Sequence, residues 1–276
     1  MCKMFRHLLN NMSHILGGTH VDQIISMFLD GTGLDVLGFL LMCSVSFAGS
    51  FIAASLGLGG GLLVMATMAS LLPPTVLIPL HGVVQLGSNI GRAAIMRKNI
   101  LKYVIPPFLI GTIIGAAIGG NLVVSLPTAV LQVVLGVFVL YATWAPKFKA
   151  SNPGNKAFFG IGVFGALATM FVGATGPLVA PFAAAASDKR QEVVATHATM
   201  MSIQHGFKII AFGVLGFAFG PYIPLLIGLL LCGFVGTFAG KHMLNFMPEH
   251  IFRIGLKAVI TLLALRLLYV GITTWG

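Results

Sequence analysis

The chain is a succession of apolar runs, and their lengths decide what it can fold into. Long runs cover Leu34–Leu56, Thr75–Met96, Tyr103–Val124, Leu126–Trp144, Ala157–Val172, Val193–Gly216, Phe219–Gly240 and Ile251–Gly271. A helix needs about 20 apolar residues to cross a hydrocarbon core about 30 Å thick. Inside that core every backbone polar group must be satisfied internally, so runs of this length read as helices. Only 8% of the residues are charged and 57% are hydrophobic, whereas soluble domains carry roughly 25% charged residues. A soluble enzyme, a DNA-binding domain and a disulfide scaffold are excluded. The expectation is an all-α polytopic protein of the cell (inner) membrane, with the lipid bilayer as its partner and no nucleic acid.

Two further apolar pieces, Leu62–Leu72 and Leu178–Ala186, are too short to cross. At about 1.5 Å per residue they reach about 16 Å and about 14 Å, roughly half the core. Each follows a small-residue break: Gly57-Leu58-Gly59-Gly60-Gly61 in one case, Gly173-Ala174-Thr175-Gly176-Pro177 in the other. A single ungapped offset carries Gly57 to Gly173, Gly60 to Gly176, His81 to His197, Asn89 to His205 and Arg92 to Lys208. With 35 glycines in the chain, glycine matches alone mean little. The polar matches argue for an internal duplication. Paired, interrupted hydrophobic segments in matching halves point to a transporter's binding site.

Loop charges set the orientation. Arg97, Lys98 and Lys102, then Lys147, Lys149 and Lys156, then Lys189 and Arg190, then Lys241 and His242 occupy alternate connections. Asn121–Pro127 and Phe217–Pro221 carry no charge. With the basic connections in the cytoplasm, the first broken pair enters from outside and the second from inside. The expected architecture is two inverted repeats, each a broken, re-entrant helix pair followed by three transmembrane helices. Their bounds are 34–145 and 157–276, joined by a cytoplasmic linker at 146–156 and preceded by a tail, 1–33, with some amphipathic character. Lys3 and Arg6 on the outer tail keep a parallel repeat open. The tail is too polar and interrupted for a signal peptide. Cys2, Cys43 and Cys232 show no paired spacing, so no metal, cofactor or redox chemistry is expected from them.

The Gly-x-Gly-Gly-Gly break, the short helix after it, the weaker second break and the Gly-rich stretches 111–120 and 228–240 resemble the TauE/SafE family of sulfite exporters. The likeness runs from about Leu34 to Val270. It implies export of a small sulfur-containing anion, sulfite or an organosulfonate. The second break departs from the first by carrying Thr175 and Pro177, which leaves open whether both halves meet cargo equally.

The residues suit an anion on their own terms. A short helix that starts at a break presents unsatisfied N–H groups and the positive end of its dipole there. Two such ends converging would hold a small anion. Gly59, Gly60 and Gly61 allow close approach; in the second break, beside Gly176, Thr175 adds a hydroxyl and Pro177 suits a first helical position. Close helix packing is the plainer role for such small residues, and it is preferred for Gly111–Gly120. His81, Gln85, Ser88, Asn89 and Arg92 share one helix face; His197, Met201, Gln204, His205 and Lys208 share the equivalent one. Such stripes face a bundle interior or a water-filled path; interhelical bonding is the alternative. Arg92 either snorkels or captures the anion, and Lys208 has no carboxylate near it in sequence. The substrate-binding candidates are therefore Gly59, Gly60, Gly61, His81, Gln85, Asn89, Arg92, Thr175, Gly176, Pro177, His197, Gln204, His205 and Lys208.

The acids Asp22, Asp30, Asp35, Asp188, Glu192 and Glu249 all fall in the tail or at segment ends. Proton coupling, kept as a possibility, would therefore run through His81, His197 and His205. A homodimer is likewise a possibility. The leading expectation is a secondary transporter working by alternating access. A passive anion channel and an uptake permease for small carboxylates or sulfonates are the alternatives, and no enzyme motif such as HExxH or GxSxG is present.

Overall fold

A computed structural model of the chain describes residues 29, 32–56, 59–123, 126–144, 153–243 and 249–273. Most of the 1–33 tail, Gly57 and Leu58 of the first break, Ala145 and residues 146–152 of the linker lie outside the described residues. Among the described residues every regular element is a helix. The order is α1 (Val36–Leu56), α2 (Gly60–Ala69), α3 (Pro74–Ile95), α4 (Ile105–Val123), α5 (Thr128–Trp144), α6 (Asn155–Val172), α7 (Gly176–Ala185), α8 (Arg190–Val214), α9 (Ile223–Met243) and α10 (Glu249–Thr273). Each apolar run of the sequence becomes one helix, and the two short runs become α2 and α7.

Both short helices start at the break glycines, two residues before their apolar runs begin. Gly59 precedes α2 with φ +97°, and Gly173 closes α6 with φ +69°. These are left-handed values that glycine adopts without a Cβ penalty. The Gly173 N–H returns to the Thr169 carbonyl at 3.0 Å, which ends α6 directly after its last apolar residue, Val172. Pro73 and Pro74 open α3, where a missing N–H costs nothing. At 10 residues each, α2 and α7 reach about 15 Å at about 1.5 Å per residue.

Five segments have the length and apolarity of a membrane span: Val36–Leu56, Lys102–Val123, Asn155–Val172, Gly220–His242 and Ile254–Thr273. The chain is a multi-pass membrane protein. Helices α3 and α8 are long enough, at 22 and 25 residues, yet fall outside that set. Their polar stripes lower the apolar average. Both stripes are buried, so the helices need no lipid-compatible surface on that side. Exposed apolar residues such as Ile113, Ile118, Leu231, Phe238, Leu262 and Ile272 lie on α4, α9 and α10, the faces that meet lipid.

Glycines set the helix contacts. A Cβ on Gly111 or Gly115 of α4 would run into the carbonyl oxygens of Phe159 and Val163 of α6. On α9, Gly236 and Gly240 lie in the same way against Phe47 and Phe51 of α1. This is backbone-to-backbone packing with small residues four apart. Residue numbers rise together along both contacts, so α4 runs parallel to α6 and α9 parallel to α1. Each broken helix is thus clasped by the fourth helix of the other half. Helices α3 and α8 cross at the centre in opposite directions: Gly82 faces Lys208, and the Leu101 N–H beyond α3 donates to Thr196 Oγ1 at 3.0 Å. Helices α5 and α10 are also antiparallel. Trp144 Nε1 donates to Thr261 Oγ1 at 2.9 Å, while Gly271 lies against Gln132 and Val133.

Candidate anion-binding site

The two polar stripes meet in the middle of the bundle. His81, Gln85, Ser88, Asn89 and Arg92 of α3 are all buried, as are His197, Met201, Gln204, His205 and Lys208 of α8. The His81 and His205 rings stand edge to face with centroids 5.9 Å apart. Between the stripes and the N-termini of α2 and α7 lies a cavity of about 40 Å3. Gly59 and Gly61 line it from the first break, Gly176 and Pro177 from the second. His81, Gln85, Asn89 and Arg92 line it from α3, and His197 and His205 from α8.

Each break is tied to its stripe by one histidine. His81 Nε2 lies 3.1 Å from the Gly61 carbonyl oxygen, and His197 Nε2 lies 3.1 Å from that of Gly176. A carbonyl only accepts, so Nε2 carries the proton in both rings and Nδ1 is left as an acceptor. The Nδ1 atoms of His81, His197 and His205 are buried and make no hydrogen bond among the described residues, although the Gly173 carbonyl lies near the His81 ring.

The two cations occupy equivalent positions. Arg92 donates from Nη1 to the Ala53 carbonyl at 2.7 Å and from Nη2 to Asn89 Oδ1. Asn89 in turn donates to the Gln85 carbonyl at 2.7 Å. Lys208 Nζ donates to the Gly173 carbonyl at 3.0 Å. Ala53 lies in the last turn of α1 and Gly173 caps α6, so each cation sits on the C-terminal carbonyls of a broken helix. There it satisfies an orphan acceptor and meets the negative end of the dipole. Arg190 adds a second bond at the same end of α1, to the Ser55 carbonyl at 2.8 Å. Arg92 is only 4% exposed and does not snorkel.

Four candidates do not line the cavity. Gly60 faces α1, where a Cβ would collide with the Gly49 carbonyl oxygen, so its role is to let α1 and α2 cross closely. Thr175 Oγ1 donates to Gln204 Oε1 at 3.0 Å, and both side chains are fully buried in that pairing. Lys208 stands behind the cavity wall, neighbouring His81 and His205. Conversely, Met201, Ala53, Leu62 and Ala174 contribute to the wall. The position of Met201, four residues after His197, carried that signal; nothing in the sequence marked Ala53.

The two breaks leave unequal numbers of backbone N–H groups without helical acceptors. The first backbone bond of α2 is Leu63 N–H to the Gly59 carbonyl at 3.2 Å, which leaves the N–H groups of Gly60, Gly61 and Leu62 without helical acceptors. In α7 the Leu178 and Val179 N–H groups both return to the Thr175 carbonyl, and Pro177 has no N–H. Only the Gly176 N–H remains. Of the described carboxylates none lines the cavity; Glu192 is engaged at the surface by Lys189 and Ser187. Among the described residues no group of three or more His, Cys, Asp or Glu converges to hold a metal. The site therefore offers donors and one lining cation, Arg92, with Lys208 behind the wall, and no acid among the described residues opposes them.

A family model described as "Sulfite exporter TauE/SafE" matches residues 41–267. The chain belongs to the sulfite exporter TauE/SafE family. The match opens within α1 and closes within α10, so it includes both breaks, both stripes and the cavity between them. TauE/SafE proteins are membrane transporters of sulfite and related sulfur anions, and membership accounts for the multi-pass architecture. No curated protein and no solved structure matches the chain.

Proposed function

We propose that this protein is a secondary transporter that exports sulfite or a small organosulfonate across the cytoplasmic membrane by alternating access around the central cavity. The observation that carries this reading is the cavity itself: free N–H groups of α2, buried cations and no carboxylate surround it. Its volume of about 40 Å3 corresponds to roughly three water-sized groups, the scale of a three-oxygen anionic head. The family's description as a sulfite exporter supports the outward direction.

The helix directions support an inverted repeat. Helix α1 starts beside the start of α9, on the side of the uncharged Gly220 turn; α6 starts beside the start of α4, next to Lys102. Equivalent helices thus run oppositely, which suits rocking of one half against the other around a fixed site. The small volume of the site, about 40 Å3, favours a carrier over an open pore. A proton taken up at Nδ1 of His81 or His197 would turn an acceptor into a donor to an anion oxygen, and so would travel with the cargo.

The test is counterflow in proteoliposomes with radiolabelled sulfite and ethanesulfonate. Saturable exchange stimulated by substrate on the opposite side is expected. Unsaturable unitary currents in planar bilayers would replace the carrier with a channel, and preferential exchange of acetate or malonate would replace the substrate class.

A further inference from the structure

A second cavity, of about 260 Å3, opens where the α2–α3 turn meets α5 and α10. It is much larger than the central one and lies on the membrane side opposite Lys241, because α10 has by then run nearly its full length away from that loop. Its walls include Leu71, Leu72, Pro73, Leu267 and Val270, and Arg266 is the one charged residue lining it.

Arg266 belongs to a spanning segment, Ile254–Thr273. Its side chain is exposed, and Nη1 donates to the Ser70 carbonyl, the C-cap of α2, at 3.1 Å. That bond uses one of the five N–H donors of a guanidinium. Among the described residues the one ion pair is Lys189–Glu192, so Arg266 has no carboxylate partner there. Arginines in membrane segments face cavities and pair with acids, anions or backbone carbonyls, and the single carbonyl bond here leaves most of the guanidinium's donors facing the recess. The guanidinium fork suits a tetrahedral or planar oxyanion, which it can grip with two parallel bonds. Ser70 and Gln132 also border the recess; the rest of its lining, Leu71, Leu72, Pro73, Leu267 and Val270 among it, is apolar and suits a hydrocarbon substituent on that anion.

We propose that this recess is a second anion site, separate from the central cavity, which binds an oxyanion carrying an apolar group. Arg266 grips the charged head, and Leu71, Leu72 and Leu267 hold the apolar part. Two sources share this chemistry: the phosphate of an anionic phospholipid and a soluble alkyl phosphate or sulfonate. The site does not depend on what the central cavity carries.

The full chain is purified in neutral detergent and studied in two arms. Native mass spectrometry counts phosphatidylglycerol retained from mixed phosphatidylglycerol–phosphatidylcholine nanodiscs, and calorimetry follows titration of the delipidated protein with butyl phosphate. Wild type is expected to retain phosphatidylglycerol selectively, to bind butyl phosphate, or both; retention alone identifies the lipid as the source, and butyl phosphate binding alone identifies a soluble ligand. Arg266→Gln should weaken whichever signal is seen at least tenfold. Leu71→Trp, which fills the recess and leaves Arg266 in place, should do the same and decides the matter if Arg266→Gln fails to fold. Gly61→Ala, which alters only the central cavity, should leave both signals unchanged. Absence of both signals in wild type, or equal signals in wild type and folded Leu71→Trp, overturns the proposal.

Discussion

Gly60 and Gly61 are adjacent and do different work. A Cβ on Gly61 would stand 3.2 Å from Gln85 Oε1, the end of a flexible side chain on the cavity wall, whereas one on Gly60 would strike the α1 backbone. Gly61→Ala should therefore lower anion affinity about tenfold, roughly 1.4 kcal/mol, with little change in the thermal unfolding midpoint. Gly60→Ala should lower the midpoint first. The reverse pattern in a paired binding and melting measurement would exchange their roles. Lys208 is a buried cation whose partner is a helix end. Lys208→Met removes an interaction of up to about 2 kcal/mol with that end, but also the cost of burying the charge. Stability should change by less than about 2 kcal/mol, while sulfite affinity should fall at least tenfold because the field behind His81 and His205 is lost. Unchanged affinity in a folded Lys208→Met protein would remove Lys208 from the site. That such a lysine lies inside the membrane was legible from its place in an apolar run; that its acceptor is the Gly173 carbonyl was not, because the contact spans 35 positions of chain.

Among the elements, the short helices and the clasps around them matter most. Among the described residues, helix α2 leaves the N–H groups of Gly60, Gly61 and Leu62 without acceptors, and of these residues Gly61 and Leu62 line the cavity, whereas α7 leaves only that of Gly176; the first half therefore offers more backbone donation. The departure of the second break from the first, Thr175 and Pro177 in place of glycines, foreshadowed this inequality. The clasps are matched instead: α4 holds α6 through Gly111 and Gly115, and α9 holds α1 through Gly236 and Gly240. Overpacking of a close contact costs about 1–3 kcal/mol and sometimes more. Gly115→Val and Gly240→Val should each lower the unfolding midpoint in detergent, by similar amounts. A large effect in one half and none in the other would mean that the two clasps are not equivalent. The glycine stretches were legible as packing surfaces, but their partners were not: close packing of a glycine does not depend on which helix supplies the facing backbone.

For the whole molecule, orientation is the property to test. Lys156 at the start of α6 is exposed, and a Cβ at Gly220, before α9, meets nothing within 4 Å. In a background lacking Cys2, Cys43 and Cys232, Lys156→Cys should react with an impermeant maleimide only from the cytoplasmic side, and Gly220→Cys only from outside. Labelling of both from the same side would rule out the inverted arrangement. The loop charges and the helix directions lead to this expectation independently. One rests on where lysines fall in the sequence, the other on which glycines touch which backbones.

The sequence by itself determined the helical membrane architecture, the two breaks and the two polar stripes. Each is a local property: run length, the absence of a Cβ, or residues three and four apart on one helix. Only the tertiary structure decided that Gly61 faces the cavity and Gly60 does not, that Arg92 and Lys208 rest on the ends of α1 and α6, and that Arg266 borders a recess of its own. Successive residues on a helix point about 100° apart, so a side chain's neighbours depend on how the helix is rotated against the rest. That rotation is set by contacts between segments far apart in the chain.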